Sequence, residues 1–208
     1  MAYLVLIRHG QSEWNAKSLW TGWTDVGLTG QGREQARAAA EKIKHMTFDI
    51  CFTSALKRAK QTWSEVSHVI GAENTQTISD LALNERDYGD LTGKNKWEVK
   101  KQLGEEEFLK IRRSWDYPPP NGESLHDVYE RVVPYYNSHI LPELKKGKNI
   151  IIVAHGNSLR ALVKLLENIP DDKISQLEMK LGEPYVYNID KAGKIISKEI
   201  LSIGSEVA

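Results

Sequence analysis

The run Leu4-Val5-Leu6-Ile7-Arg8-His9-Gly10-Gln11-Ser12 is an apolar tetrapeptide ending in a polar His-Gly turn, and Ile150-Ile151-Ile152-Val153-Ala154-His155-Gly156-Asn157-Ser158 echoes it. Short runs that are apolar at every position predict strands buried on both faces, as in a parallel sheet covered by helices. In such sheets ligands bind in the crevice beyond the carboxyl ends of the strands. Two strands that both end in His-Gly therefore bring two imidazoles toward one pocket. Glycine allows close backbone approach, and the arginine fork matches phosphate oxygens. The pattern points to phosphoryl chemistry on a histidine.

Outward from these two strands the chain alternates between sheet and helix patterns. Trp20 to Gly27 reads as a loop, and Thr29 opens a helix in which Ala36, Ala39, Ala40 and Ile43 share one face; Gly30-Gln31-Gly32 is read as the helix entry. Phe48 to Thr53 predicts a second strand. Ser54 is expected to cap the helix after it, with Ala55, Ala59, Thr62 and Trp63 toward the sheet and Arg58 in the early turns. Thr75 to Ser79 predicts a third strand, followed by an irregular segment from Asn84 to Gly89 and a helix-prone stretch from Trp97 to Arg113. Pro118-Pro119-Pro120-Asn121-Gly122 interrupts any helix, and Ser124 restarts one through Val128, Val132 and Val133, with a kink expected at Pro134. Lys145-Lys146-Gly147 turns into the strand bearing His155. Leu159, Leu162, Val163, Leu165 and Leu166 cover that strand, and Tyr185 to Ile189 with Ile195 to Ile200 predicts a closing hairpin. The expected fold class is α/β, a three-layer sandwich with a mainly parallel central sheet flanked by helices, in one domain over residues 1–208.

Composition narrows the function. Lys plus Arg equals Asp plus Glu, 28 against 28, so no global field draws in nucleic acid. No apolar run approaches the roughly 20 residues of a membrane helix, and the start has no basic, cleavable leader, so neither membrane insertion nor secretion is expected. The single cysteine, Cys51, excludes an internal disulfide framework, and a reducing, cytoplasmic setting is expected. Basic residues cluster locally at Lys57 to Lys60, Lys94 to Lys96 and Arg112-Arg113, which on their own read as solvated faces.

Arg8, Gly10, Ser12 and Asn15 around His9 offer charge, backbone access and neutral donors within one turn, an inventory for holding phosphoryl oxygens. Neutral imidazole is a competent nucleophile near pH 7, and His9 is the candidate. His155 is assigned as a donor to oxygens that gain charge in the transition state, helped by a helix starting near Asn157. Its alternative, metal ligation, lacks a supporting motif: no HExxH is present, and His45, His68, His126 and His139 have no matching carboxylate or cysteine pattern. Glu85, in an otherwise plain polar loop, is the candidate proton donor, on the expectation that partial burial raises its pKa. Arg58, Lys96, Arg112 and Arg113 would clamp a substrate carrying a phosphate and a carboxylate. Ser12 and Ser158 lack a GxSxG elbow, there is no GxxxxGK[ST] loop, and the tryptophans show no spacing suited to stacking bases.

Arg8-His9-Gly10-Gln11-Ser12-Glu13-Trp14-Asn15 resembles the signature of the histidine phosphatase superfamily. Leu19 to Asp25, Thr53 to Ala59, Leu83 to Gly89, Gly93 to Lys96, Arg112 to Ser114 and Ala154 to Arg160 resemble its cofactor-dependent phosphoglycerate mutase branch, over nearly the whole chain. The resemblance implies interconversion of 3-phosphoglycerate and 2-phosphoglycerate in glycolysis and gluconeogenesis, primed by 2,3-bisphosphoglycerate and without a metal. It implies His9 as the phosphorylated nucleophile, Glu85 as proton donor and acceptor and His155 as transition-state stabiliser, with Arg8 and Arg58 in the catalytic set. Phosphate and substrate contacts are implied for Gly10, Gln11, Ser12, Asn15, Thr21, Gly22, Arg86, Tyr88, Lys96, Arg112, Arg113, Gly156 and Asn157. The partners implied are small phosphoglycerates, with neither nucleic acid nor membrane. Pro118-Pro119-Pro120 passes almost directly into Asn121-Gly122, where many longer members carry more residues, so the assembly is left open between monomer and small homo-oligomer. The alternatives are a phosphatase of the same superfamily, which passes the phosphoryl group to water, and a catalytically idle protein that binds phosphorylated ligands.

Overall fold

A computed structural model describes residues 1–204; the last four residues of the expected 1–208 domain lie outside the described residues. Strands β1 (Ala2–Arg8), β2 (Ile50–Ser54), β3 (Gln76–Asp80), β4 (Ile150–Ala154), β5 (Pro184–Ile189) and β6 (Ile195–Ile200) form one six-stranded sheet in the order β3-β2-β4-β1-β5-β6. β1, β2, β3 and β4 run parallel, and β5 and β6 are antiparallel additions at one side. The mainly parallel sheet and the closing hairpin are as the hydrophobic runs predict.

Alternation along the buried strands sorts their side chains to two faces. Leu4, Leu6, Phe52, Ile150, Ile152 and Tyr187 meet one set of helices, α6 (Leu125–Tyr135) and α8 (Gly156–Glu167). Val5, Ile7, Cys51, Ile151 and Val153 meet α2 (Gly30–Ile43) and α3 (Lys57–Ile70) on the other. This is the three-layer arrangement expected, and it explains why β1 and β4 read as unbroken apolar runs. α2 begins at the Thr29 cap, whose side chain accepts from Gly32 N, and buries Ala36, Ala39, Ala40 and Ile43 as predicted.

Shorter elements complete the chain: α1 (Glu13–Ala16), capped by Ser12, α4 (Lys96–Leu103), α5 (Glu105–Arg113) and α7 (Leu141–Lys145). The helix-prone stretch before Arg113 is two helices, broken at Gly104, whose φ of 84° lies in the left-handed region. Trp20, Leu91, Val99, Phe108 and Ile111 form a separate small core under α4 and α5. Pro134 sits inside α6, and the helix relaxes into a π turn over Tyr136–Ile140 rather than stopping.

One expectation fails at Ser54. α3 starts at Lys57 with Leu56 as its cap residue and no side-chain cap, leaving Ala55 outside the helix. The Ser54 hydroxyl accepts from Leu56 N at 3.2 Å and shares a 2.6 Å hydrogen bond with His155 Nε2. The strand ends two residues before the helix can begin, so the serine is drawn into the crevice.

Candidate active site

β4 lies between β1 and β2, with Arg8 opposite Ala154 and Thr53 opposite Val153, so His9, Ser54 and His155 emerge together from the carboxyl edge of the sheet. The imidazole centroids are 4.9 Å apart, nearly edge to face, and both rings are buried. The His9 N–H donates to Ala154 O across the two strand ends at 3.0 Å.

The two rings are held differently. His9 Nδ1–H donates to the Gly10 carbonyl at 2.7 Å, which fixes the tautomer and leaves the lone pair on Nε2. The loop beyond is seated on α2 and α3: Gly10 N donates to Thr62 Oγ1, and Gln11 N to Gln35 Oε1. Gly10 has to be glycine, because a Cβ there would stand 2.0 Å from the Gly32 carbonyl oxygen. His155 is the cap residue of α8. Ser158 Oγ accepts from the His155 N–H at 3.1 Å, with no cap hydrogen bond to the imidazole, whose Nδ1 is buried without a partner. Burial, then the positive charge of Arg58, holds both histidines well below the usual 6.5, so both are neutral at physiological pH; Arg8 adds to this for His9, and His9 and Arg8 add to it for His155.

Two adjoining compartments open from this edge. The inner one is lined by Arg8, His9, Asn15, Thr21, Arg58, Glu85, Tyr88 and Lys96. The outer one shares Arg8, Glu85, Tyr88 and Lys96 and adds Trp20, Arg112, Arg113, Gly156, Asn157, Arg160, Glu178 and Met179. Arg58 is 1% exposed, gripped by the carbonyls of Gly22 at 2.8 Å and Thr24 at 2.9 Å, and burial lowers its pKa to about 10. Arg8 Nη1 donates to Met179 O at 2.6 Å. Arg8 Nε, Arg58 Nε and Thr21 Oγ1 are buried without hydrogen-bond partners. Lys96 is lowered to about 8 by burial and then by Arg112 and Arg8.

Glu85 departs from expectation. Its Oε1 accepts from Arg86 N at 2.8 Å, Asn157 N at 3.1 Å and Asn157 Nδ2 at 2.9 Å. Burial does act to raise its pKa, as anticipated, but the Arg86 N–H, the charges of Arg8 and Arg58 and the Asn157 amide outweigh it. In the free pocket Glu85 is held below the usual carboxylate value.

Most sequence candidates meet here: Arg8, His9, Asn15, Thr21, Arg58, Glu85, Tyr88, Lys96, Arg112, Arg113, Gly156 and Asn157 all line a compartment. Gly10, Gln11, Ser12, Gly22, Arg86 and His155 line neither, His155 being wholly buried with its ring against that of His9. Ser12 caps α1, Gly22 adopts a φ of 51° and presents its carbonyl to Arg58, and Arg86 is fully buried, donating to Ile111 O and standing 4.8 Å over the Tyr88 ring. Sequence reasoning assigned no role to Arg160, Glu178 or Met179. Arg160 orients Asn157 through its Oδ1 at 2.9 Å, and Glu178 pairs with Arg113 at 3.2 Å. Arg160 closes the motif that runs from Ala154, so its place in that motif was the available signal; Glu178 carried none.

The family described as the histidine phosphatase superfamily, branch 1, matches residues 4–199. A protein of Chelativorans sp. (strain BNC1) named 2,3-bisphosphoglycerate-dependent phosphoglycerate mutase is 50% identical over 200 residues, covering 95% of this chain and 97% of the relative. A Schizosaccharomyces pombe protein named phosphoglycerate mutase is 49% identical over 200 residues, covering 95% of each. Among solved structures, a mycobacterial glucosyl-3-phosphoglycerate phosphatase aligns with a TM-score of 0.81 at 26% identity, over 97% of this chain and 98% of that one.

Proposed function

The chain belongs to branch 1 of the histidine phosphatase superfamily, and on that footing we propose that it interconverts 3-phosphoglycerate and 2-phosphoglycerate through a phosphohistidine on His9. It is read as an isomerase of glycolysis and gluconeogenesis, one catalytic domain working in the cytoplasm as a monomer or small homo-oligomer. The observation that carries the reading is the second cationic compartment. A phosphatase needs one phosphate cradle, whereas Arg112 and Arg113, with Lys96 shared between the two compartments, build a further anion site next to the first.

The residues fit 2,3-bisphosphoglycerate. Arg8 Nε, Arg58 Nε and Thr21 Oγ1 are buried donors that lack partners at the inner site, and the outer cations suit a second phosphate and a carboxylate. That molecule supplies the phosphoryl group that primes His9.

His9 Nε2 attacks phosphorus, because Nδ1 is engaged by Gly10 O. The N–P bond forms as the P–O bond to the sugar-acid oxygen breaks. Arg8, Arg58, Thr21 and Asn15 hold the non-bridging oxygens. His155 works in the tautomer in which the Ser54 hydroxyl, while accepting from Leu56 N, donates to Nε2; its Nδ1–H, which has no other partner, then donates to the same oxygens. Hydrogen bonds to Glu85 fall on Oε1, so Oε2 gives the leaving oxygen its proton and takes it back in the reverse step. A bound phosphoryl dianion offsets the charges of Arg8 and Arg58, which removes part of what keeps Glu85 ionised in the free site.

The test is conversion of 3-phosphoglycerate in the presence of a chelator, read afterwards with enolase, with and without traces of 2,3-bisphosphoglycerate. Isomerisation stimulated by the bisphosphate is expected. Release of inorganic phosphate without isomerisation would support the phosphatase reading, which the likeness to the mycobacterial phosphatase favours.

A further inference from the structure

Arg131 lies on α6 and lines neither compartment, and in sequence Glu130-Arg131-Val132-Val133 reads as an ordinary helix face. Its guanidinium is nonetheless fully engaged beneath the loop that carries Glu85. Nη1 donates to Ala82 O at 2.8 Å and Asn84 O at 3.0 Å, and Nη2 donates to Glu85 O at 2.9 Å. Nε and Nη2 form a fork on the Glu123 carboxylate at 2.8 and 2.9 Å. That accounts for the five N–H groups an arginine has. Glu123 is tied to the same loop, accepting from Asp87 N at 2.8 Å and donating its own N–H to Asp87 O at 2.9 Å.

The segment Glu85 to Tyr88 has neither helix nor strand to hold it, and the Asn84 and Glu85 carbonyls accept from no backbone N–H. Buried carbonyls need partners: Arg131 donates to both, alone at Asn84 O and at Glu85 O together with Trp23 Nε1, which donates there at 2.6 Å. Asn157 and the Arg86 N–H hold the carboxylate from the pocket side. Arg131 holds the backbone from behind. Arginine is suited to this because its planar donors are rigid relative to one another, so three carbonyls and a carboxylate fix one loop position.

We propose that Arg131, locked by Glu123, is a positioning residue that sets the place of Glu85 relative to the leaving oxygen. The proposal rests on the role of Glu85 as proton donor. A displacement of about 1 Å in a reacting group costs on the order of a hundredfold in rate, so loosening this clamp acts on the chemical step more than on binding.

The experiment follows single-turnover labelling of His9 by radiolabelled 2,3-bisphosphoglycerate, with binding measured separately, in Arg131→Ala, Glu123→Gln, Glu85→Gln and the Arg131→Ala/Glu85→Gln double variant. Arg131→Ala is expected to slow labelling about thirtyfold with affinity changed less than about threefold, and Glu123→Gln to slow it less, because the guanidinium keeps its carbonyls. The double variant is expected to be no slower than Glu85→Gln alone, since Arg131 acts through Glu85. Full multiplication of the two losses, or wild-type labelling by Arg131→Ala, overturns the proposal. Wild-type labelling by Glu85→Gln instead removes the role of Glu85, and the proposal with it. If Arg131→Ala does not fold, Arg131→Lys takes its place in the same cycle with the same criterion.

Discussion

The ends of β1 and β4 carry nearly the same sequence, Arg-His-Gly-Gln-Ser and Ala-His-Gly-Asn-Ser, and differ in the path the backbone takes afterwards. After β4 a helix begins at Gly156 itself, so the backbone beyond His155 enters α8 and the ring is held by Ser54, from another strand. After β1 the chain continues outside helix and strand through Gly10 and Gln11, seated on α3 and α2, before Ser12 caps α1, and the Gly10 carbonyl, outside any helix, accepts from the Nδ1–H of His9. One imidazole is locked by its own loop with Nε2 available for attack. The other is oriented by a neighbour with Nδ1 left over. Identical residue types acquire different roles from the onset of a helix.

The largest effect that would break this contrast is at His9. His9→Ala is expected to abolish acid-labile phosphoenzyme, and normal labelling of that variant would show the nucleophile to be elsewhere. His155→Ala is expected to keep slow labelling at His9 and lose about a hundred- to a thousandfold in turnover, as removal of one transition-state donor does. Loss no greater than a few fold would mean the second ring has no electrostatic role.

The two glycines separate the same way in stability. Gly10→Ala forces a Cβ to 2.0 Å from the Gly32 carbonyl, backbone against backbone, and is expected to destabilise by about 3 kcal/mol in chemical denaturation. Gly156→Ala meets side-chain atoms, Arg8 Nε at 3.4 Å, Arg8 Cζ at 3.5 Å and Glu85 Oε2 at 3.7 Å, and is expected to stay within about 1 kcal/mol, its cost appearing in activity. Equal losses would erase the distinction between the loops.

The smallest effect is in the pH profile of kcat/KM, where the rings are expected to behave alike. Both histidine pKa values lie well below 6.5, so protonation removes the nucleophile only as pH falls beneath that value. Lys96, lowered to about 8, loses its charge as pH rises through that point, and kcat/KM is expected to fall there; Lys96→Arg moves this limb upward. A loss centred above pH 6.5 on the acid side would contradict the neutral pair.

The strand and helix pattern was legible because β1, β2 and β4 are short apolar runs and the face of α2 repeats at helical spacing. The two-histidine crevice was legible because both rings stand next to strand ends. What the chain alone did not disclose depends on contacts between distant positions. Ser54 meets His155 101 residues away, and Arg131 reaches Glu85 from 46 residues along the chain while resembling a surface arginine. The shift at Glu85 was anticipated with the wrong sign because burial was foreseen, while the Arg86 N–H and the converging charges of Arg8 and Arg58 appear only once the loop is folded.

The most direct test of the contrast between the two strand ends is to locate the phosphoryl group on the enzyme primed with 2,3-bisphosphoglycerate, by mass spectrometry for the residue and phosphorus–nitrogen NMR for the atom. Phosphate on His9 alone, attached through Nε2, is the predicted result. Phosphate on His155, or on Nδ1 of His9, would contradict it.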